Sequence, residues 1–161
     1  MTSFVPYGLE TPIIFALLMA CLLGKLVFLQ TAYASPNLDT MPIIQLNINQ
    51  HPVSVWVPIY PSQYYQGLKQ VSKEQLQGKG MLFRYTEHHI PTFTMQGTLT
   101  DIDLLCLDRQ GTILEIIPMK KEGNKLYKPT LPCRFVLELP AGSQPIYQIK
   151  LGDKISFPGN P

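Results

Sequence analysis

Proline stands at fifteen of the 161 positions and is scattered along the chain rather than gathered in one tract. Each proline removes a backbone donor and interrupts a helix, while strand ends and turns tolerate it. A helical bundle is therefore excluded, and the runs between prolines must be read for strands. "PIIQLNIN" (42–49) and "VSVWVPI" (53–59) alternate apolar and polar residues, as half-buried strands do. In the second run Val53, Val55 and Val57 share one face and Trp56 takes the other. "QH" with Pro52 turns the chain between them, so His51 reads as a turn residue.

"PSQYYQGLKQVS" (61–72) changes period: Pro61 opens it, and Tyr64, Tyr65 and Leu68 follow at helical spacing. "MLFRY" (81–85) is a strand with Met81, Phe83 and Tyr85 on one face. "TEHHIP" turns the chain, and "TFTMQ" returns with Phe93 and Met95 inward and Gln96 outward. "IDLLCLD", "RQG" and "TILEII" form the clearest hairpin, with Gly111 supplying the turn. "PMKKEGNKLYKPTLP" (118–132) reads as an exposed loop. "CRFVLELP" (133–140) is a further strand, followed by a helical turn and a last strand at 154–157. The expectation is an all-β domain over 42–158, a compact antiparallel sandwich or barrel-like (jelly-roll-like) arrangement with one or two short helices.

Residues 1–34 differ from the rest. "PIIFALLMACLL" and "LVFLQ" form an apolar stretch over 12–29 that ends at "AYA", the small-x-small pattern a signal peptidase accepts. Cleavage after Ala34 leaves "SPNLDT" within a linker of residues 35–41. Glu10 and the lack of early Lys or Arg keep an uncleaved membrane anchor through residues 12–29 in view, although Lys25 interrupts it. "LMAC" at Cys21 resembles a lipobox but is followed by more apolar residues. All three readings place the domain outside the cytoplasm, in the periplasm or beyond. An exported chain with Cys106 and Cys133 permits a disulfide closing a loop of about twenty-six residues, and the "LLCL" context equally permits a buried thiol. Such a bridge stabilises by roughly 3 kcal/mol.

Charged residues make up 15% of the chain and the formal charge is +2 with scattered lysines, which argues against nucleic acid as a partner. No Cys-x-x-Cys, phosphate-binding glycine loop or glycine-flanked nucleophile is present, and nothing calls for a cofactor. Cys133 has no histidine near it in sequence to act as base. His88 and His89 are adjacent, so on an extended chain they point apart and cannot share a metal.

"GMLF" (80–83), "FTMQGT" (93–98), "IDLLCLDRQG" (102–111), "RFVLELPAG" (134–142) and "IKLGDKI" (149–155) occur in one order. Together they resemble the bacterial and archaeal family called domain of unknown function 192, across about residues 67–157. The resemblance implies a mostly antiparallel, often exported β domain and brings no established activity. The chain departs from the family pattern in three places. Phe-Trp-Met-Lys-Asn-Thr becomes Phe93, Thr94, Met95, Gln96, Gly97, Thr98; Gly-Leu-Met becomes Gly67, Leu68, Lys69; and Pro-Leu-Asp becomes Asp101, Ile102, Asp103.

The candidate binding residues are Phe93, Met95, Gln96, Thr98 and Asp103, the last because it keeps the family's acid. The aromatic segment Trp56, Tyr60, Tyr64 and Tyr65 reads either as a groove for a sugar or peptide or as cover for the core. Arg134 and Glu138 share a strand face about 13 Å apart. Glu138 is expected to accept amides of the turn at Ala141 and Gly142. The leading functional expectation is a non-enzymatic envelope domain that binds a small ligand or an envelope protein. The alternatives are a hydrolase built on Asp101, Asp103, Glu138 and His88 or His89, or an accessory factor of a membrane complex.

Overall fold

The computed structural model describes residues 38–121 and 123–158. The signal, anchor and Cys21 readings lie outside these residues, and among the described residues no helix is long and apolar enough to cross a membrane. The chain is mostly β. A 3-10 turn at Leu38–Thr40 leads into β1 (Ile43–Ile48) and β2 (His51–Trp56). Two short helices follow, α1 (Pro61–Gln66) and α2 (Lys73–Leu76). Then come β3 (Lys79–His89), β4 (Phe93–Thr94), β5 (Ile102–Leu107), β6 (Ile113–Met119), β7 (Leu126–Tyr127), β8 (Cys133–Pro140) and α3 (Ser143–Ile146).

Six strands form one sheet in the order β1-β2-β3-β8-β5-β6, while β4 and β7 make a separate two-stranded ribbon. The chain is the mostly antiparallel β domain expected, with one exception in the sheet: β2 and β3 run parallel. The parallel pair has a mechanical reason. Parallel neighbours need a crossover of a dozen or more residues, and the segment carrying α1 and α2 supplies it. α2 was not anticipated, although Ser72 and Gln75 form the reciprocal capping box that marks its start. Two further readings change. β3 runs on through the histidines to His89 where a turn was expected, and the charged loop contains β7, paired with β4.

The central strands β8 and β5 are buried along nearly their whole length, because both faces of the sheet are covered. One face packs Leu46, Val55, Leu82, Leu105, Phe135 and Leu137 together with Ile149 and Ile155 from the C-terminal segment. That segment also clasps the two outer strands. Asn47 of β1 and Ser156 exchange both backbone hydrogen bonds at 3.0 Å, and Ile155 N donates to the carbonyl of Gly111 before β6. The sheet therefore curls until its edges meet through residues 154–156, which form bridges to two different strands rather than one continuous strand. Gly111 is required at this closure: its φ is +81°, and a Cβ there would collide with the backbone of Ile155.

The opposite face packs Trp56, Met81, Phe83, Leu104, Cys106 and Val136 beneath the crossover helices and the β4–β7 ribbon. Cys106 on β5 and Cys133 at the start of β8 form a disulfide on this face, with Cα atoms 5.3 Å apart.

Candidate functional site

Strand alternation decides where the acids point. Leu104 and Glu138 are directly paired across β5 and β8, so both side chains leave the sheet on the helix-covered face. Asp103 pairs with Leu139 and leaves on the curled interior face. The two acids are thus neighbours in register and separated by the sheet itself. Asp103 is buried there, away from the Phe93–Thr98 segment it was expected to join.

On the helix-covered face a cleft of about 250 Å³ opens between three segments. α1 and the residues after it contribute Tyr64, Tyr65, Leu68 and Lys69. The strip from Thr92 to Thr98 contributes Phe93, Met95 and Thr98. The sheet contributes Phe83, Ile102 and Glu138. The two walls are tied together at one end, where Gln70 N donates to Gly97 O at 2.8 Å and Lys69 and Thr98 form a β-bridge. Met95 O accepts from Thr98 N, closing a tight turn in which Gly97 has φ +77°. Asparagine, which the family carries there, also tolerates that conformation, so the exchange preserves the turn.

Aromatic rings make much of the lining. Phe83 lies edge-to-face with Phe93 at 5.5 Å and with Tyr64 at 5.7 Å. The Tyr64 hydroxyl donates to Arg84 O at 2.6 Å, which fixes α1 against β3. Burial, with Tyr64 and Glu138 nearby, pushes the Tyr85 phenol well above its ordinary range. Lys69 sits at the cleft with its Nζ 3.8 Å from the Tyr65 ring centroid and donating to Tyr65 O at 2.9 Å.

Glu138 is only 6% exposed, and among the described residues no side-chain hydrogen bond reaches its carboxyl. Since no fully buried polar side-chain atom among them lacks a partner, the carboxyl opens onto the cleft. Burial alone pushes that carboxyl up to about 8. An acid held this way is neutral at pH 7 and donates as well as accepts. The expected amide partners are absent for a geometric reason. Ala141 N donates instead to Asp101 O at 2.9 Å, and the Glu138 side chain faces away from that turn.

The remaining candidates disperse. Asp101 is half-buried, accepts Lys121 N and pairs with Lys120 Nζ at 2.9 Å, contacts that hold its carboxyl below the usual range. Gln96 points to solvent and does not line the cleft. His88 and His89 are exposed at the end of β3, with His89 tilted against Tyr85 at 5.2 Å. Among the described residues no group of three or more His, Cys, Asp or Glu could hold a metal. The aromatic segment divides: Tyr64 and Tyr65 line the cleft, Trp56 is core, and Tyr60 borders a separate depression near Met41.

Sequence reasoning thus reached Phe93, Met95 and Thr98, and gave Glu138 a folding role or, in the hydrolase alternative, a place among the acids, but not a place in this cleft. A single acid on the same strand face as Val136, inside "FVLEL", was the available signal.

The sequence profile of the family described as "Uncharacterized ACR" (domain of unknown function 192) matches residues 44–157. The chain belongs to this family. Among solved structures, it is similar to a Sinorhizobium meliloti protein provisionally described as a transcription regulator. The TM-score is 0.64 at 26% identity, over 71% of this chain and 92% of that one. A protein of unknown function from Novosphingobium aromaticivorans shares the fold, with a TM-score of 0.58 at 19% identity over 73% of this chain and 85% of that one. Comparison with curated proteins finds no match. Two of the places where this member of the domain of unknown function 192 family departs from the family pattern, Lys69 and Thr94, line the cleft.

Proposed function

We propose that the chain is an exported, non-enzymatic envelope domain that binds a small ligand in the cleft between α1 and the Phe93–Thr98 strip. One observation carries this reading: a buried carboxyl group without a protein partner opens into an aromatic-lined space. Burying such a group costs stability unless something hydrogen-bonds it, and a fold that keeps it there gains a fixed polar contact for a ligand. A larger hollow of about 380 Å³ lies between α2 and α3, lined by Leu76, Thr100, Ala141, Ser143, Ile146 and Tyr147. Its buried hydroxyl is already used, since Ser143 Oγ donates to Pro140 O at 2.6 Å. It therefore offers less to orient a ligand.

Export is supported by the Cys106–Cys133 disulfide, because such bridges persist in oxidising compartments. The intact mass of native protein without reductant tests it: a chain beginning at Ser35 supports export, and a full-length reduced chain in the cytoplasm counts against it. The hydrolase alternative loses ground because its acids lie on different faces or are already paired. The description given to the Sinorhizobium protein is not extended to this chain, whose +2 charge and scattered lysines offer no basic face for DNA.

A fragment screen by protein-observed NMR tests the binding site. Shifts concentrated at Met95, Thr98 and Ile102 are expected. Binders that perturb only Leu76, Thr100 and Ala141 would move the site to the other hollow.

A further inference from the structure

We propose that this cleft selects small organic cations, with the Glu138 carboxylate as the counter-ion and the rings of Tyr64, Phe83 and Phe93 as the surrounding wall. The inference rests on the cleft being the ligand site. Three observations on the page converge on a positive charge.

The first is the acid. The Glu138 backbone belongs to the β8 ladder, but among the described residues no side-chain hydrogen bond or ion pair reaches its carboxyl, which lines the cleft together with the rings of Tyr64, Phe83 and Phe93. A ligand cation is the group that most fully offsets the cost of ionising a buried carboxyl, because opposite charges interact strongly where water is excluded. The second is the aromatic content. Ring faces attract cations, and more so when the cation is stripped of water. The third lies at the cleft's outer wall, where the Lys69 ammonium already rests on the Tyr65 ring at 3.8 Å. That side chain shows the same recognition pair built from the protein's own atoms. Lys69 also lines the cleft, and its charge opposes a second cation at that wall.

Binding then couples to proton release. With the free carboxyl at about 8, the acid carries a proton at neutral pH, and a cation must displace it. No other reactant is needed: the proton passes to solvent as the ion pair forms. Tyr64 from α1 and Lys69 line the cleft with Glu138, and Tyr85 on β3, which responds to the Glu138 charge, stays protonated through this range.

The test uses benzyltrimethylammonium, whose charge does not change with pH, with benzyl alcohol and phenylacetate as neutral and anionic counterparts. Titrations of the wild-type domain are followed by NMR at the methyls of Met95, Thr98 and Ile102. The cation should bind best and tighten by about a hundredfold from about pH 6 to about pH 9, following the ionised fraction of Glu138. Glu138→Gln should lose the pH dependence and bind the cation at least about tenfold more weakly at the upper pH. Phe93→Leu, at a half-exposed position, should weaken binding several-fold while keeping the pH slope. A pH-independent cation affinity, or tighter binding of the alcohol or the acid in the cleft, would overturn the cation assignment and leave the ligand cleft standing. Failure of all three probes to move cleft resonances would overturn both.

Discussion

The two faces of the sheet are built from different materials. The curled interior is filled by Leu, Ile and Val with Phe135 and contains no sulfur. The helix-covered face holds Met41, Met81, Met95, Met119 and both disulfide cysteines, along with Trp56, Phe83 and Tyr127. Branched aliphatic chains have few rotamers and pack to one arrangement, whereas methionine is flexible and fills irregular gaps. One face is therefore a fixed framework and the other an adaptable lining, and the cleft lies on the adaptable one. Glu138 belongs to that side, whereas its neighbours Leu137 and Leu139 face the interior, where the acid Asp103 lies opposite Leu139.

This contrast can be tested at several strengths. The greatest effect belongs to Glu138. Its carboxyl titrates near 4.5 in the unfolded chain and at about 8 when folded. Between those values the native state holds a proton that the unfolded state has lost. Stability should therefore fall as pH rises from about 4.5 to about 8, by roughly 5 kcal/mol, and level off above. Urea unfolding across that range checks the sign, and Glu138→Gln should flatten the profile. The carboxylates of Asp101 and Asp153, whose values are lowered by their donors, act in the opposite sense and only at the acid end.

The disulfide pins the adaptable face. Its cysteines are 27 positions apart, and removing both with Cys106→Ala and Cys133→Ala should cost about 3.5 kcal/mol. Calorimetry of the double variant, and of wild type with reductant, should give matching losses. A cavity in the framework should cost nearly as much: Leu137→Ala, fully buried, is expected to lose roughly 3 kcal/mol in denaturant unfolding. The mildest change lies on the sulfur-rich side, where Met95→Leu should lose less than about 1.5 kcal/mol. Equal losses at Leu137 and Met95 would remove the distinction between the two faces.

Much of the framework was readable because it depends on local alternation. Val53, Val55 and Val57 do share a face, Trp56 does take the other, and the β5–β6 hairpin turns at Gly111. The parallel pairing of β2 with β3 was not readable, since it depends on where two short helices lead the chain. The cleft was harder still. Its lining comes from three separated stretches, and Glu138 acquires its character only when they are folded around it. In the sequence it is one acid among apolar neighbours, which reads equally as a satisfied fold contact. The histidine pair was readable as a surface feature, and both rings are exposed, although they end a strand rather than form a turn.

The clasp at residues 154–156 sets the order in which this fold can be completed. The Asn47–Ser156 bridge spans 156 − 47 = 109 residues, so its closure comes at a large entropic cost and repays it only when the rest of the sheet is in place. Until then β1 and the start of β6 are open edges, with unpaired amides and carbonyls able to recruit another chain. How long those edges stay fully open thus depends on the three residues of the clasp.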